Sequence, residues 1–328
     1  IGIGVLAILF WTDPRTPLGF LGIASTAVFS QAVSVMVGSV LRAIGHVATG
    51  AFAELGSIPF LTICGLLLAT AVGPISLEVV LVVYTAASWL TLAWAVLWTR
   101  VKTAQHRNRM TGRVPTEPAP IRLTSLASIT GTSVAYFATT WAPLIVLNAS
   151  TGASAVALFT AAYRLASFIS VFPTIQQSYL GPQFASLLAD DEPETLTRVA
   201  GRASLTALAI SGLPVVAFLV APGPILDLVM GANYSAASPV LVVLAVGALV
   251  ATGMGQTSLL LLLSGREHFA AVANILVVVA WFTLGWAAAF FGGALGIAIL
   301  SSALTIVYAL LGTRLLIRKV GVRPFAHR

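Results

Sequence analysis

The chain has 328 residues, of which 58% are hydrophobic and only 8% charged. A soluble domain carries about 25% charged residues, so this chain cannot cover a water-facing surface, and an ordinary soluble globule is excluded. The formal net charge of +7 would suit nucleic acid on its own, but the placement of the basic residues points elsewhere.

Ten hydrophobic segments are read from the sequence, at 1–12, 18–42, 55–73, 77–99, 123–148, 154–181, 199–221, 238–263, 268–291 and 293–317. A bilayer core of about 30 Å takes roughly 20 apolar residues as helix. Lipid obliges each segment to bond its own backbone, so all ten are predicted to be helices. Trp11, Trp98 and Phe269 stand near segment ends, as interfacial aromatics do. The first segment would reach only about 18 Å. It has no initiating Met and no basic leader, so it does not read as a signal peptide. It is expected to be a half-buried or re-entrant start or, by preference, the back half of a helix cut by truncation.

The longest polar break is 100–122 (RVKTAQHRNRMTGRVPTEPAPIR), basic and then proline-rich, which reads as an interlobe linker. The expected organisation is a partial N-terminal lobe at 1–99, the linker at 100–122, a C-terminal lobe of six helices at 123–318 and a tail at 319–328. If the two lobes are alike, as in many transporters, two helices and part of a third are absent from the N-terminus. With the linker assigned to the cytoplasm and sides alternated, all of the 17 basic residues but Arg15 and Arg164 lie on the cytoplasmic side or at its interface. That is the positive-inside bias. It predicts a multi-pass protein of a bacterial plasma membrane with a cytoplasmic C-terminus and no nucleic-acid partner.

Arg164 lies near the middle of the 154–181 segment, in FTAAYRLASF. An arginine at that depth costs about 2.5–3.5 kcal/mol on insertion scales. At helical spacing Thr160, Arg164, Ser167, Thr174 and Ser178 fall within about 40° of one line, which predicts a face turned to a water-filled cavity. The alternative is a structural arginine satisfied by nearby carbonyls. In the preceding segment Ser125, Ser128, Thr132, Tyr136 and Thr139 share a face. Close packing through small residues explains most of it, and Tyr136 fits that explanation least. Along 18–42, Ala27, Gln31, Ser34, Gly38 and Arg42 form a small-or-polar stripe that reads chiefly as packing. Gln31 is its candidate exception, and Arg42 is expected to snorkel to the interface. Gln256 and Asn274 read more readily as interhelical glue than as ligand groups, and the single cysteine, Cys64, as packing.

No enzyme signature is present: the sequence has no Walker A run, and His46, His106, His268 and His327 show no ligand spacing. No cofactor or metal is expected. Segments 123–181 hold no Asp or Glu, and Glu54, Glu78 and Asp227 are assigned to segment ends or loops. A cation in place of a membrane carboxylate favours an anionic substrate such as a phosphate group.

Four runs carry a family resemblance. LFTAAYRLASFISVFPTIQQSYLGPQFASLLA (158–189) has an AYR-like turn before a long helix ending in a Pro-containing stretch. MGANYSAASPVLVVLAVGALV (230–250) has a Gly-x-x-Tyr loop, LLLSGREHFAAVANI (261–275) a Gly-Arg turn, and GGALGIAIL (292–300) a glycine-rich helix start. In this order and spacing they resemble polysaccharide flippases, the polysaccharide-exporter branch of the multidrug/oligosaccharidyl-lipid/polysaccharide superfamily. The resemblance covers 121–324 well and 1–100 only by hydropathy. It implies an all-α, polytopic transmembrane bundle of two six-helix lobes around a cavity, of which about ten helices are present here, with Arg164 facing the cavity. The expected substrate is a polyprenyl-pyrophosphate-linked oligosaccharide, an anionic glycan flipped from the inner to the outer leaflet. Arg164 would attract its pyrophosphate. Tyr136, Thr132 and Ser167 would bond sugar or phosphate oxygens, with Thr160 and Gln31 as further contacts. Membrane lipids and a polysaccharide polymerase or glycosyltransferases are the expected partners. The alternatives are a cation-coupled multidrug exporter of the same superfamily and a non-transporting scaffold for glycan synthesis.

Overall fold

The computed structural model describes residues 18–43, 45–71, 73–109, 138–190, 192–322 and 324–325. Tyr136 and Thr132, with Ser125 and Ser128, lie outside them. Among the described residues the chain is helical throughout and has no strand. It divides into two compact units, Ile1–Pro118 and Ala119–Arg328, the division falling within the polar segment 100–122. Among the described residues six helices are long and apolar enough to cross a bilayer, and a bent pair makes a seventh candidate.

In the first unit, α1 (Leu18–Ala43) packs against a long helix, α4 (Leu77–Arg109), and against a bent pair. The pair is α2 (Val47–Ala51), a π-helical turn at Phe52–Gly56 and α3 (Ser57–Thr70). The small residues of α1 form its packing face. Ser30 and Ser34 are fully buried, yet each hydroxyl donates to a carbonyl of its own helix, Ala27 O and Ser30 O at 2.9 Å. Gly38 and Gly50 let two backbones meet: a Cβ on Gly38 would stand 2.9 Å from Gly50 O. Close approach through small residues is how helices associate where lipid removes the hydrophobic drive. Helix α4 runs ten residues beyond the predicted apolar segment, so the start of 100–122 is helix rather than loose linker. Lys, Gln, Arg and Ala are good helix formers, and Lys102 lays its ammonium 5.2 Å from the Trp98 ring centre, a snorkelling geometry.

The second unit begins with α5 (138–151), α6 (Ala153–Ser167), a 3-10 turn at Phe168–Ser170 and α7 (Val171–Ala189). It continues with α8 (Pro193–Val220), the short α9 (Pro222–Met230), α10 (Ser238–Gly253), α11 (Thr257–Leu263) and α12 (Glu267–Val320). Its larger core joins Val146, Phe159, Leu165, Ile169, Phe218 and Leu241 with Trp281 and Ile297. Phe290, Phe291, Leu213, Leu228 and Val220 are more than three-quarters exposed, a surface suited to lipid.

Two details of the second unit come from proline and glycine. Pro173 has no N–H, so it cannot bond the carbonyl four residues back, that of Ile169. The Ser211 hydroxyl donates to that carbonyl at 2.8 Å instead, the substitution that a dry interior requires. Helix α12 is bent at Gly293 (φ 54°, ψ −136°). A Cβ on Gly296 would collide with the carbonyl of Ala288, eight residues back, whereas a straight helix would hold them about 12 Å apart along its axis. The chain therefore turns back there. The 54 residues of α12 are thus two helical arms that meet at Gly293, at the boundary between the predicted segments 268–291 and 293–317.

The predicted segment 238–263 is not one helix. It breaks at Met254–Gln256, where Gly255 has φ 82°. The predicted tail does not begin as one either. Gly321 (φ 75°) ends α12 with its N–H bonded to Leu316 O at 3.1 Å, a glycine-capped stop. The chain then buries Val322 completely against Phe184, Leu196, Leu260 and Leu316. The carbonyl of Pro324 accepts from the Ser204 hydroxyl at 2.5 Å.

Candidate functional site

A cavity of about 790 Å³ lies within the second unit, walled by α5, α6, α7, α11 and both arms of α12. A second, of about 480 Å³, adjoins it and shares Tyr163, Ser301 and Thr305. Among the described residues neither is lined by an Asp, Glu, Lys, Arg or His side chain. The walls carry hydroxyls, amides and aromatic rings.

The side chains of the larger cavity are held from behind. Tyr163 is 41% exposed, and its ring stacks on buried Phe159 with centroids 6.0 Å apart. Asn274 is 7% exposed. Its amide donates to Ala270 O at 2.9 Å and, over a longer 3.4 Å, to the Tyr308 hydroxyl. That hydroxyl also lies 3.2 Å from Ser258 Oγ. Ser258 on α11 and Asn274 and Tyr308 on the two arms of α12 thus meet at one phenol oxygen. Gln256, at the helix break, donates to Pro173 O at 3.0 Å, which fixes the smaller cavity and makes Gln256 the interhelical tie its sequence context suggested.

The sequence-derived site residues divide. Ser167 lines the smaller cavity, with its hydroxyl donating to Arg164 O at 2.6 Å, and Thr174 lines the larger one. Thr160 is half-buried and lines neither. Arg164 is exposed and lines neither. It sits one residue, about 100°, round α6 from Tyr163, which lines both. Among the described residues its guanidinium has no carboxylate or carbonyl partner. The cavity face of α6 and α7 runs through Tyr163, Ser167, Ser170, Thr174 and Gln177, next to the stripe predicted on Thr160 and Arg164.

Gln31 belongs to the first unit and is occupied. Its Oε1 accepts from the Tyr84 hydroxyl at 3.0 Å, tying α1 to α4. Tyr84→Phe should therefore cost about 1 kcal/mol of stability, read as a lower apparent melting point in detergent. An unchanged melting point would mean that this bond does not tie α1 to α4. Arg42 does not merely snorkel: its Nη2 lies 2.8 Å from Glu54 Oε2. Glu54, expected at a segment end or in a loop, stands in the π-helical turn between α2 and α3, where the partner neutralises it. Neither residue of this pair was legible as a pair, because 11 residues and a turn separate them.

Among the described residues no three His, Cys, Asp or Glu side chains stand close enough to hold a metal. Asp227 has a local task, with Oδ1 accepting from Ser235 N at 3.0 Å to fix the loop after α9. No family model, curated protein or solved structure matches the chain. The class of protein defined here is a membrane-embedded helical bundle whose second unit holds a polar cavity, uncharged among the described residues.

Proposed function

We propose that the protein is a two-lobed flippase that carries a polyprenyl-pyrophosphate-linked oligosaccharide across a bacterial plasma membrane. The observation that carries this reading is the large, partly open cavity among apolar helices, lined among the described residues by hydroxyls, amides and aromatic rings without charge. A protein that only had to sit in lipid would fill such a space with apolar side chains, since burying polar groups without partners costs free energy. Here Thr174, Ser258, Asn274, Ser301, Thr305 and Tyr308 are each held by a hydrogen bond within the protein, and a polyhydroxylated substrate would use the hydrogen-bonding capacity that such hydroxyls and amides retain.

Two further features support it. Arg164 offers an exposed, unpaired guanidinium beside the cavity face, suited to a phosphate group. The four sequence runs that resemble polysaccharide flippases include the Tyr163–Arg164 turn, the loop before α10 and the turn at Gly293. The lobes would alternate between inward and outward openings, with the lipid tail left in the bilayer.

Depleting the full-length protein from its cells should leave the lipid-linked glycan on the inner face of the membrane, with sensitivity to cationic dyes unchanged. Normal glycan sidedness with dye hypersensitivity would replace this reading by a drug exporter. Normal sidedness with no dye effect would leave a scaffold.

A further inference from the structure

The lining of the larger cavity says which part of such a substrate enters it. A phosphate, a carboxylate or a sulfate brought into a partly open pocket whose described lining holds no cation gives up part of its hydration and gains no counter-charge there, which disfavours it. Hydroxyl-rich, uncharged groups face no such barrier. They need many short-range donors and acceptors in fixed positions, and flat apolar surfaces for their C–H faces. The cavity has both. Tyr308, Asn274 and Ser258 converge on one phenol oxygen, Thr305 and Gln177 add further polar groups, and the Tyr163 ring, 41% exposed, offers a flat face.

We infer that this cavity takes an uncharged sugar unit, and that it selects against glycans whose inserted unit carries a carboxylate or sulfate. The inference rests on the flippase reading for its substrate and adds a specificity that the reading does not contain. Tyr308 is its centre. Because its hydroxyl already accepts from Asn274, its proton is free to turn to Ser258 or to a sugar oxygen, so it is a switchable donor on the cavity wall. Thr305 is exposed at the junction of the two cavities, where a single added cation would reverse the electrostatics without disturbing a packed core. The anion of the substrate belongs outside, on the flank that bears Arg164.

Saturation-transfer NMR on the full chain in nanodiscs tests this, with chitobiose as the neutral probe and the glucuronate–N-acetylglucosamine disaccharide as the acidic one. Chitobiose should receive saturation and bind at least fivefold more tightly than the acidic disaccharide. Tyr308→Phe and Asn274→Leu should each weaken chitobiose about fivefold, as loss of one hydrogen bond of about 1 kcal/mol implies. Thr305→Arg, at an exposed position that folding tolerates, should bring the acidic disaccharide level with chitobiose or ahead of it. No transfer to chitobiose, equal binding of both probes by the unaltered chain, or no change in preference with Thr305→Arg would each overturn the inference. Inner-face accumulation of glycan on depletion, with no chitobiose binding, would remove this specificity and keep the flippase. Chitobiose binding with normal glycan sidedness would do the reverse.

Discussion

Arg164→Glu is expected to abolish glycan translocation, by at least tenfold in initial rate, with membrane insertion and abundance unchanged. The expectation follows from position and cost. Arginine in the body of an apolar helix is disfavoured by about 2.5–3.5 kcal/mol, yet here it is exposed on α6 with no partner among the described residues. It is therefore not the hub of a structural network, and removing it should not unfold the second unit. Its neighbour Tyr163 lines both cavities, which puts the guanidinium at their margin, where a pyrophosphate must pass if the cavities themselves refuse anions. Reversing the charge turns attraction into repulsion. Arg164→Lys keeps the charge but loses the bidentate fork, so it should retain partial transport. The measurement is delivery of lipid-linked glycan to the outer leaflet at matched protein levels. Unaltered transport by the glutamate variant would remove Arg164 from the mechanism, and equal loss in the lysine and glutamate variants would mean that geometry, not charge, is what matters.

The fold was legible where physics reduces to length and apolarity. The spans at 18–42, 77–99 and 199–221 appear as helices because lipid leaves a backbone no other option. The paired glycines at 292–293 marked the turn in α12 because only glycine readily adopts φ 54°. The break at 254–256 was hidden for the opposite reason. Ala248, Leu249 and Val250 precede it and Leu259 to Leu263 follow it, and hydropathy does not register one glycine at φ 82°. The site was legible in part. A polar stripe announced the wet side of α6 and α7, but its edge could not be placed. Tyr163 reads as apolar until its neighbours are known, and the face it leads lies beside the one centred on Arg164. Asn274 and Tyr308 are 34 residues apart on two arms of a bent helix, a meeting that no local pattern encodes.

Gly255→Val should destabilise the second unit by about 3 kcal/mol, seen as a drop of roughly 5–10 °C in apparent melting point in detergent. Two costs combine. A β-branched residue at φ 82° is a genuine backbone outlier, worth about 1–3 kcal/mol. The added side chain would also occupy the place of the Pro324 carbonyl, and it would stand 2.5 Å from Ser204 Oγ. The chain after Gly321 would then lose its hydrogen bond to Ser204 and, with it, the burial of Val322, adding about 1 kcal/mol for the bond alone. A double-mutant cycle separates the two costs. Ending the chain at Gly321 should destabilise the unaltered protein by more than it destabilises the Gly255→Val variant, with a coupling of at least about 1 kcal/mol. Strict additivity would mean that the returning segment stays in place and that only the backbone is strained. Full coupling would make the glycine at the helix break the seat of the C-terminal segment. In that case the same residue that interrupts the span between α10 and α11 also lets the chain's end lock the lower core formed by Phe184, Leu196 and Leu260.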